Sequence, residues 1–352
     1  MVRKVGKIHL STFNEGAYAE YRIPGIVCTN KNTLLAYCEG RSGGTDWGRI
    51  EIILWRSEAP APGETQRHWS DYTVLVPSVN DQTVNNANMI VDGDTLHFIY
   101  HTDYKRVFYQ KSTDDGISWS ESQEITYVFD QFQKRKHWVV NASGPSHGIA
   151  MKSGRLVMPV WIGGNDDDPH AHWPSYTGVI YSDDRGETWQ AGALIQHPAI
   201  PSSSEAVLAE LSDGSLMINT RNDNEQGLRA VAISKDGGET FEEPYFDKQL
   251  PDPQCSAGMT QSEGKIYFTN CDNLPMDGDS RINLTLKVSM DDCKTWKILT
   301  KIEDRAGYSD VCVDKNGHIY CFYECERPKE HDGSFPQLHL TVFDMEKPSL
   351  SD

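Results

Sequence analysis

Short apolar runs, each bounded by Gly, Asp, Asn or Ser, recur along the chain: GRLVMPVW, TGVIYS, AVAIS, KIYFTN, TLKVS and HIYCFY. Runs of this length, rich in β-branched and aromatic residues, read as strands, and the polar clusters between them as turns. Helical periodicity sustained over several turns is hard to find. The best helical stretch, SSEAVLAEL, is short and reads equally as a loop leading into a strand. No apolar run reaches the ~18 residues of a membrane span, so no membrane insertion is expected. The pattern predicts an all-β protein.

A second periodicity, at about fifty to seventy residues, overlies the first. Its marks are STDDGISW (112–119), SDDRGETW (182–189), SKDGGETF (234–241) and SMDDCKTW (289–296), with Cys293 where the other copies have glycine. A degraded fifth copy lies in WRSEAPAPGETQRHWS, beginning at Ser57. The physical logic is that of a hairpin staple. Asp accepts hydrogen bonds from the turn's backbone, Gly permits a left-handed backbone, and the aromatic anchors the next strand in the core. Such boxes are structural and carry no chemistry themselves. Many short strands in repeats of this size predict a six-bladed β-propeller, one blade being completed by both chain ends.

Length and charge then narrow the class. The 352 residues would by themselves suggest two or three domains. The repeat runs on without a Pro-rich linker, however, which predicts one domain over 1–352 with EKPSLSD as a polar tail. A net charge of −18 opposes binding to nucleic acid or anionic membrane, both of which need basic patches. The start MVRKVGKIHL has no apolar stretch like a signal peptide, so a cytoplasmic location is expected, or a secreted one if a leader has been removed. Eight cysteines are scattered without CxxC pairs and are expected to be reduced, buried thiols.

The chemistry begins at EYRIPGI, where Arg22 precedes a proline in an apolar strand-like run with only Glu20 of opposite charge nearby. A buried guanidinium needs an anionic partner from the fold or from a ligand. Arg221 in SLMINTRND and Arg281 in DGDSRINLTLKVS occupy comparable places. Equivalent propeller strands converge at one end of the axis, so the three can meet there. Three guanidinium groups together repel one another and require an anion, and their planar forks suit a carboxylate.

The ordered set of RIP, the Asp boxes, ELSDGSLMINTR, SRINLTLKVS, AGYSDV and FYE resembles the non-viral exo-sialidase (neuraminidase) family of bacterial and animal type, over nearly the whole chain. The resemblance implies a six-bladed propeller, without a separate lectin domain, in which Arg22, Arg221 and Arg281 clamp the carboxylate of a terminal sialic acid. In CEGRSGGTDWG it implies Arg41 as an auxiliary pocket arginine and Asp46 as the acid/base carboxyl. Glu205 matches the catalytic glutamate, Glu210 being a poorer fit. Tyr308 in GYSD matches the nucleophile, and Glu324 in FYE the carboxylate that orients Arg22. Asn86, Asn88, Met89 and Trp161 are candidate pocket residues, with Trp173 and Tyr176 as further candidates for the rim.

These residue types suit the chemistry. A carboxylate nucleophile would be repelled by the substrate's own carboxylate at the anomeric carbon, and a tyrosine avoids this. A phenol with pKa ~10 needs a base, which Glu205 supplies, while the arginines favour the developing phenolate. Two displacements at one carbon predict retained configuration. The expected activity is exo-α-sialidase on sialylated oligosaccharides, glycoproteins or glycolipids, with no cofactor. Although GGNDDDPHAHWP places His170 and His172 among carboxylates, the chemistry requires no metal. The alternatives are an intramolecular trans-sialidase, a KDN-specific relative, or a non-catalytic glycan-binding propeller.

Overall fold

The computed structural model describes residues 2–11, 18–61, 64, 67–275, 281–326 and 337–345. The tail at 346–352 and part of the degraded fifth repeat (62–63, 65–66) lie outside them. The strand-like runs are strands, ordered around the fold in chain order. After β1 (Val2–Ser11), the first four-stranded sheet is β2 (Glu20–Cys28), β3 (Leu34–Arg41), β4 (Ile50–Ser57) and β5 (Thr73–Val76). The second is β6 (Val84–Asp92), β7 (Thr95–Thr102), β8 (Arg106–Ser112) and β9 (Gln123–Glu124). The third contains β10 (Val140–Ser143), β11 (Ile149–Ala150), β12 (Leu156–Gly163), β13 (Ser175–Ser182) and β14 (Gln190–Leu194). The fourth is β15 (Ser203–Glu210), β16 (Leu216–Asn222), β17 (Leu228–Ser234) and β18 (Tyr245–Pro251).

The remaining strands are β19 (Gly258–Ser262), β20 (Lys265–Cys271), β21 (Ile282–Ser289), β22 (Lys297–Val313), β23 (Ile319–Cys325) and β24 (Gln337–Met345). Together with β1, which pairs antiparallel with β24, they form a seven-stranded sheet. The 17-residue β22 pairs with β21 through its first half and with β23 through its second.

Apolar layers lie between successive sheets rather than in one central mass. Leu35 and Leu54 pack on Met89 and Phe98; Ile90 and Ile99 on Met158; Val157 on Leu208 and Ile218; and Met217 on Met259 and Phe268. Ile26, Ala36 and Ile53 pack on Tyr320, Phe322 and Leu340, joining the first sheet to the last. The fold is therefore all-β and propeller-like.

SSEAVLAEL is not helical. Its Ser203–Glu210 span is β15, buried throughout and paired with β16, because cross-strand packing outweighs the helix propensity of Ala, Leu and Glu. The helix among the described residues is α1 (Tyr127–Gln133), which seats Val128, Phe129 and Phe132 on the core between the second and third sheets.

Each clear Asp box is the turn between the last two strands of a sheet or half-sheet. Asp184 accepts from the backbone N–H and hydroxyl of Thr188 at 2.8 and 2.6 Å, and Asp236 does the same with Thr240. Cys293 holds the left-handed conformation (φ 61°) that glycine takes in the other copies, with its N–H on Ser289 Oγ at 2.9 Å. All eight cysteines are free thiols, and all but Cys28 are buried.

Candidate active site

A repeated irregularity in the strand pairing aims the candidate side chains. In β2, Ile23 and Pro24 together oppose Cys38; in β6, Asn86 and Ala87 oppose Tyr100. In β15, Ser204 and Glu205 oppose Arg221; in β22, Gly307 and Tyr308 oppose Glu324. Such two-against-one bulges interrupt side-chain alternation and redirect residues. Here the bulged stretches contribute Ile23, Asn86, Ser204, Glu205 and Tyr308 to the wall of one cavity of ≈ 320 Å³. That volume lies in the range of about 300–1,000 Å³ usual for small-ligand sites. Ile23 adopts φ 60°, unusual for a β-branched residue, and its N–H is held by Glu324 Oε1 at 3.0 Å.

The three arginines converge there on one phenol. Arg221 Nη1 donates to Tyr308 Oη at 2.8 Å, and the guanidinium carbons of Arg22 and Arg281 lie 5.5 and 5.2 Å from the centre of the Tyr308 ring. Arg22 Nε donates to Glu324 Oε1 at 2.7 Å, and no described residue accepts from its two terminal nitrogens. Arg221 Nη1 also donates to Glu205 Oε2 at 2.7 Å, while its buried Nε has no partner among the described residues. Arg281 donates to the Gln254 carbonyl at 3.3 Å and forms no ion pair with a described carboxylate. Burial works against the charge on all three, but the carboxylates of Glu324 near Arg22 and Arg281 and of Glu205 at Arg221 favour it, and all three stay protonated. Burial, reinforced by Glu205, pushes the Tyr308 phenol far above its ordinary value despite Arg221 and Arg281. Tyr308 is thus a neutral phenol at rest. Its link to Glu205 runs through the shared Arg221 Nη1 rather than through a direct hydrogen bond.

Across the cavity, Asp46 is half-exposed and accepts from Arg41 Nη1 at 2.7 Å. Burial alone would raise its carboxyl, but Arg41 holds it below the usual range. Arg41 itself is 1% exposed, is fixed by Glu39 through Nε and Nη2 at 2.9 and 2.6 Å, and does not line the cavity. Arg41, expected as an auxiliary pocket arginine, therefore reaches the cavity through its ion pair with Asp46. Asn86 and Trp161 line the cavity as expected. Asn88 and Met89 do not: both are fully buried, Met89 in the layer between the first two sheets, because the bulge at 86–87 ends exposure to the cavity before them. Tyr176 packs on the core beyond the site, with Lys136 Nζ over its ring at 4.3 Å, whereas Trp173 lines the cavity.

Tyr104 and Trp47 are not among the expected site residues, and His172, noted in the sequence only among carboxylates, joins them here. Tyr104, at φ 53°, lines the cavity with its ring 4.8 Å from both His172 and Trp47. His172 also lines it, and burial keeps its imidazole below the ordinary range. The sequence signals are that Trp47 directly follows Asp46 and that His172 stands in the His-, Asp- and Trp-containing stretch GGNDDDPHAHWP.

A larger cavity, ≈ 530 Å³, opens at the other end of the same strands, beside Cys28, Glu210 and Val313. No arginine lines it and neither Tyr308 nor Asp46 reaches it; the candidate residues gather at the smaller cavity. Glu210 sits there, its carboxylate accepting from Lys152 N–H at 3.0 Å, which separates it from Glu205.

Residues 32–321 match the family model described as BNR repeat-like domain. The chain is 30% identical to a sialidase of Bacteroides fragilis over 91% of its own length and 62% of that protein's. The solved structure of the Hadza microbial sialidase Hz136 superposes with a TM-score of 0.75 at 25% identity, covering 96% of this chain and 68% of that one. Trypanosoma rangeli sialidase in complex with the inhibitor DANA gives 0.74 at 20% identity, over 96% and 59%, and shares the fold. The chain thus spans between half and two thirds of the length of the first curated relatives it matches.

Proposed function

Since the chain belongs to the non-viral sialidase family with its BNR repeat-like domain, we propose that it is a retaining exo-α-sialidase that removes terminal sialic acid from oligosaccharides, glycoproteins or glycolipids. The observation that carries this reading is the meeting of three guanidinium groups around one buried phenol, Arg221 at its hydroxyl and Arg22 and Arg281 against its ring. The unpartnered nitrogens of Arg22 and Arg221 are donors suited to a ligand carboxylate. In that reading Arg221 turns onto the carboxylate, which lets Glu205 and Tyr308 meet. Glu205 takes the phenol proton as Oη bonds to the anomeric carbon. The glycosidic C–O bond breaks and its oxygen takes a proton from Asp46. Water, activated by Asp46, then displaces the tyrosine, which recovers its proton from Glu205. Glu324 orients Arg22.

The finer architecture is part of the same proposal. Six blades in a single domain are supported by the division of the seven-stranded sheet at β22 into two four-stranded halves, with Leu284 and Leu286 packed on Val311 and Cys321 between them.

Release of 4-methylumbelliferone from its sialoside, with the α-anomer of the sugar appearing first by NMR, tests the function; no release between pH 4 and 8 would refute it. Because Arg41 holds Asp46 ionised in the free protein, its acid form becomes scarcer as pH rises, so kcat/KM is expected to fall from pH 5 to pH 8. Asp46→Ala should cost about 10²-fold or more on sialyl-oligosaccharides and far less on the aryl sialoside, whose leaving group needs no proton. Equal losses on both would remove the acid role. With a net charge of −18 around a local cationic cradle, KM is expected to fall as salt is added; a steep rise would contradict local recognition.

A further inference from the structure

Outside the cavity, among the described residues, one further group combines soft and hard ligands. Glu303 of β22, Cys325 of β23 and His339 of β24 bring a carboxylate oxygen, a thiol sulfur and an imidazole nitrogen within 4.8 Å of one another. His339 is 4% exposed, yet neither ring nitrogen has a hydrogen-bond partner among the described residues. Buried imidazoles ordinarily satisfy at least one, so these two nitrogens point to a missing ligand. On the other side, Lys7 Nζ lies 2.6 Å from Glu303 Oε2, placing a positive charge against the group. His9 of β1 lies opposite His339 in the strand register, with ring centroids 4.1 Å apart.

We propose that Glu303, Cys325 and His339 form a binding site for a divalent cation of the zinc class, which fastens the sheet where the two ends of the chain meet. A thiol, an imidazole and a carboxylate together favour zinc over magnesium or calcium, which prefer oxygen alone. Zinc bonds of about 2.0–2.3 Å around a tetrahedron set ligand atoms about 3.3–3.8 Å apart. The three groups need to close by only about 1 Å to reach this spacing, a change within side-chain rotation. On binding, the Cys325 proton leaves to solvent and the Lys7 ammonium swings into water. His9 lies in position to approach as a fourth ligand, which would tie β1 to the same ion. The ion would join strands rather than take part in hydrolysis. Cys325 follows Glu324 in β23, and successive strand side chains point to opposite faces, so the thiol faces away from the carboxylate that holds Arg22. The proposal does not depend on the sialidase reading.

Metal-free full-length protein titrated with cobalt(II) is expected to develop the near-ultraviolet thiolate-to-cobalt absorption, saturating at one equivalent. Equilibrium dialysis should find one zinc per chain, and a hundredfold excess of zinc over Kd should raise Tm by roughly 3–4 °C. His339→Gln and Cys325→Ser should weaken binding at least tenfold. Lys7→Met, at the surface and safe for folding, should tighten it by removing the competing charge. Absence of the thiolate band in the parent protein, or unchanged zinc affinity in both H339Q and K7M, would overturn the proposal.

Discussion

Replacing Tyr308 by phenylalanine is expected to lower kcat by about 10³-fold or more, with a melting temperature within a few degrees of the parent. The ring stays in place, bracketed by Arg22 and Arg281 and packed with Ile23, Cys255 and Cys271. The only protein hydrogen bond the hydroxyl makes among the described residues is from Arg221 Nη1, which keeps Glu205 as a partner. Losing one such bond costs about 1 kcal/mol, too little to unfold the chain. Steady-state kinetics beside a thermal melt separates the two effects. Undiminished turnover in Y308F would remove the nucleophile from the account.

The second large effect belongs to Glu324→Gln. This carboxylate is fully buried and binds three donors from two strands: Arg22 Nε at 2.7 Å, Ile23 N–H at 3.0 Å and Tyr308 N–H at 3.0 Å. It thus fixes the strained RIP turn and the bulge bearing the phenol with one charge. A glutamine offers one acceptor oxygen and presents an NH₂ to the remaining donors, leaving Arg22 without its counter-ion. Breaking a buried pair of this kind costs about 3 kcal/mol or more. E324Q should therefore lose stability in denaturant melts, and its KM should rise and its kcat fall, since both the clamp and the nucleophile are displaced. Stability and kinetics like those of the parent would show that Arg22 and Tyr308 are positioned by other contacts.

Much of this was legible in the chain. The Asp boxes are local devices, since each aspartate acts on residues within four positions of itself, and the structure repeats the same bonds at each clear copy. The strand runs were legible because one face of each had to be apolar. SSEAVLAEL stays open between helix and strand in the sequence because its residues favour a helix in isolation, whereas β16 and the layers on both sides decide its state. The arginines and Tyr308, which the fold brings together, stand in motifs whose neighbours are recognisable in the sequence. Asn88 and Met89 were misplaced because a single bulge at Asn86–Ala87 determines which residue faces the cavity, and a bulge leaves no mark in the polar pattern. Tyr104, His172 and Trp47 meet across three separate loops, an encounter that local sequence does not encode. The motif around Arg41 points to the pocket but not to its depth; its position under Asp46 comes from Glu39, two residues earlier on the same strand.

The most direct measurement is mass spectrometry of the protein after brief incubation with 2,3-difluorosialic acid, a sugar able to accumulate as a glycosyl-enzyme, followed by peptide sequencing. The account predicts one sialosyl adduct per chain, carried by Tyr308 and absent from Y308F. An adduct on Glu205 or Asp46, or turnover of sialosides with no adduct at all, would contradict it.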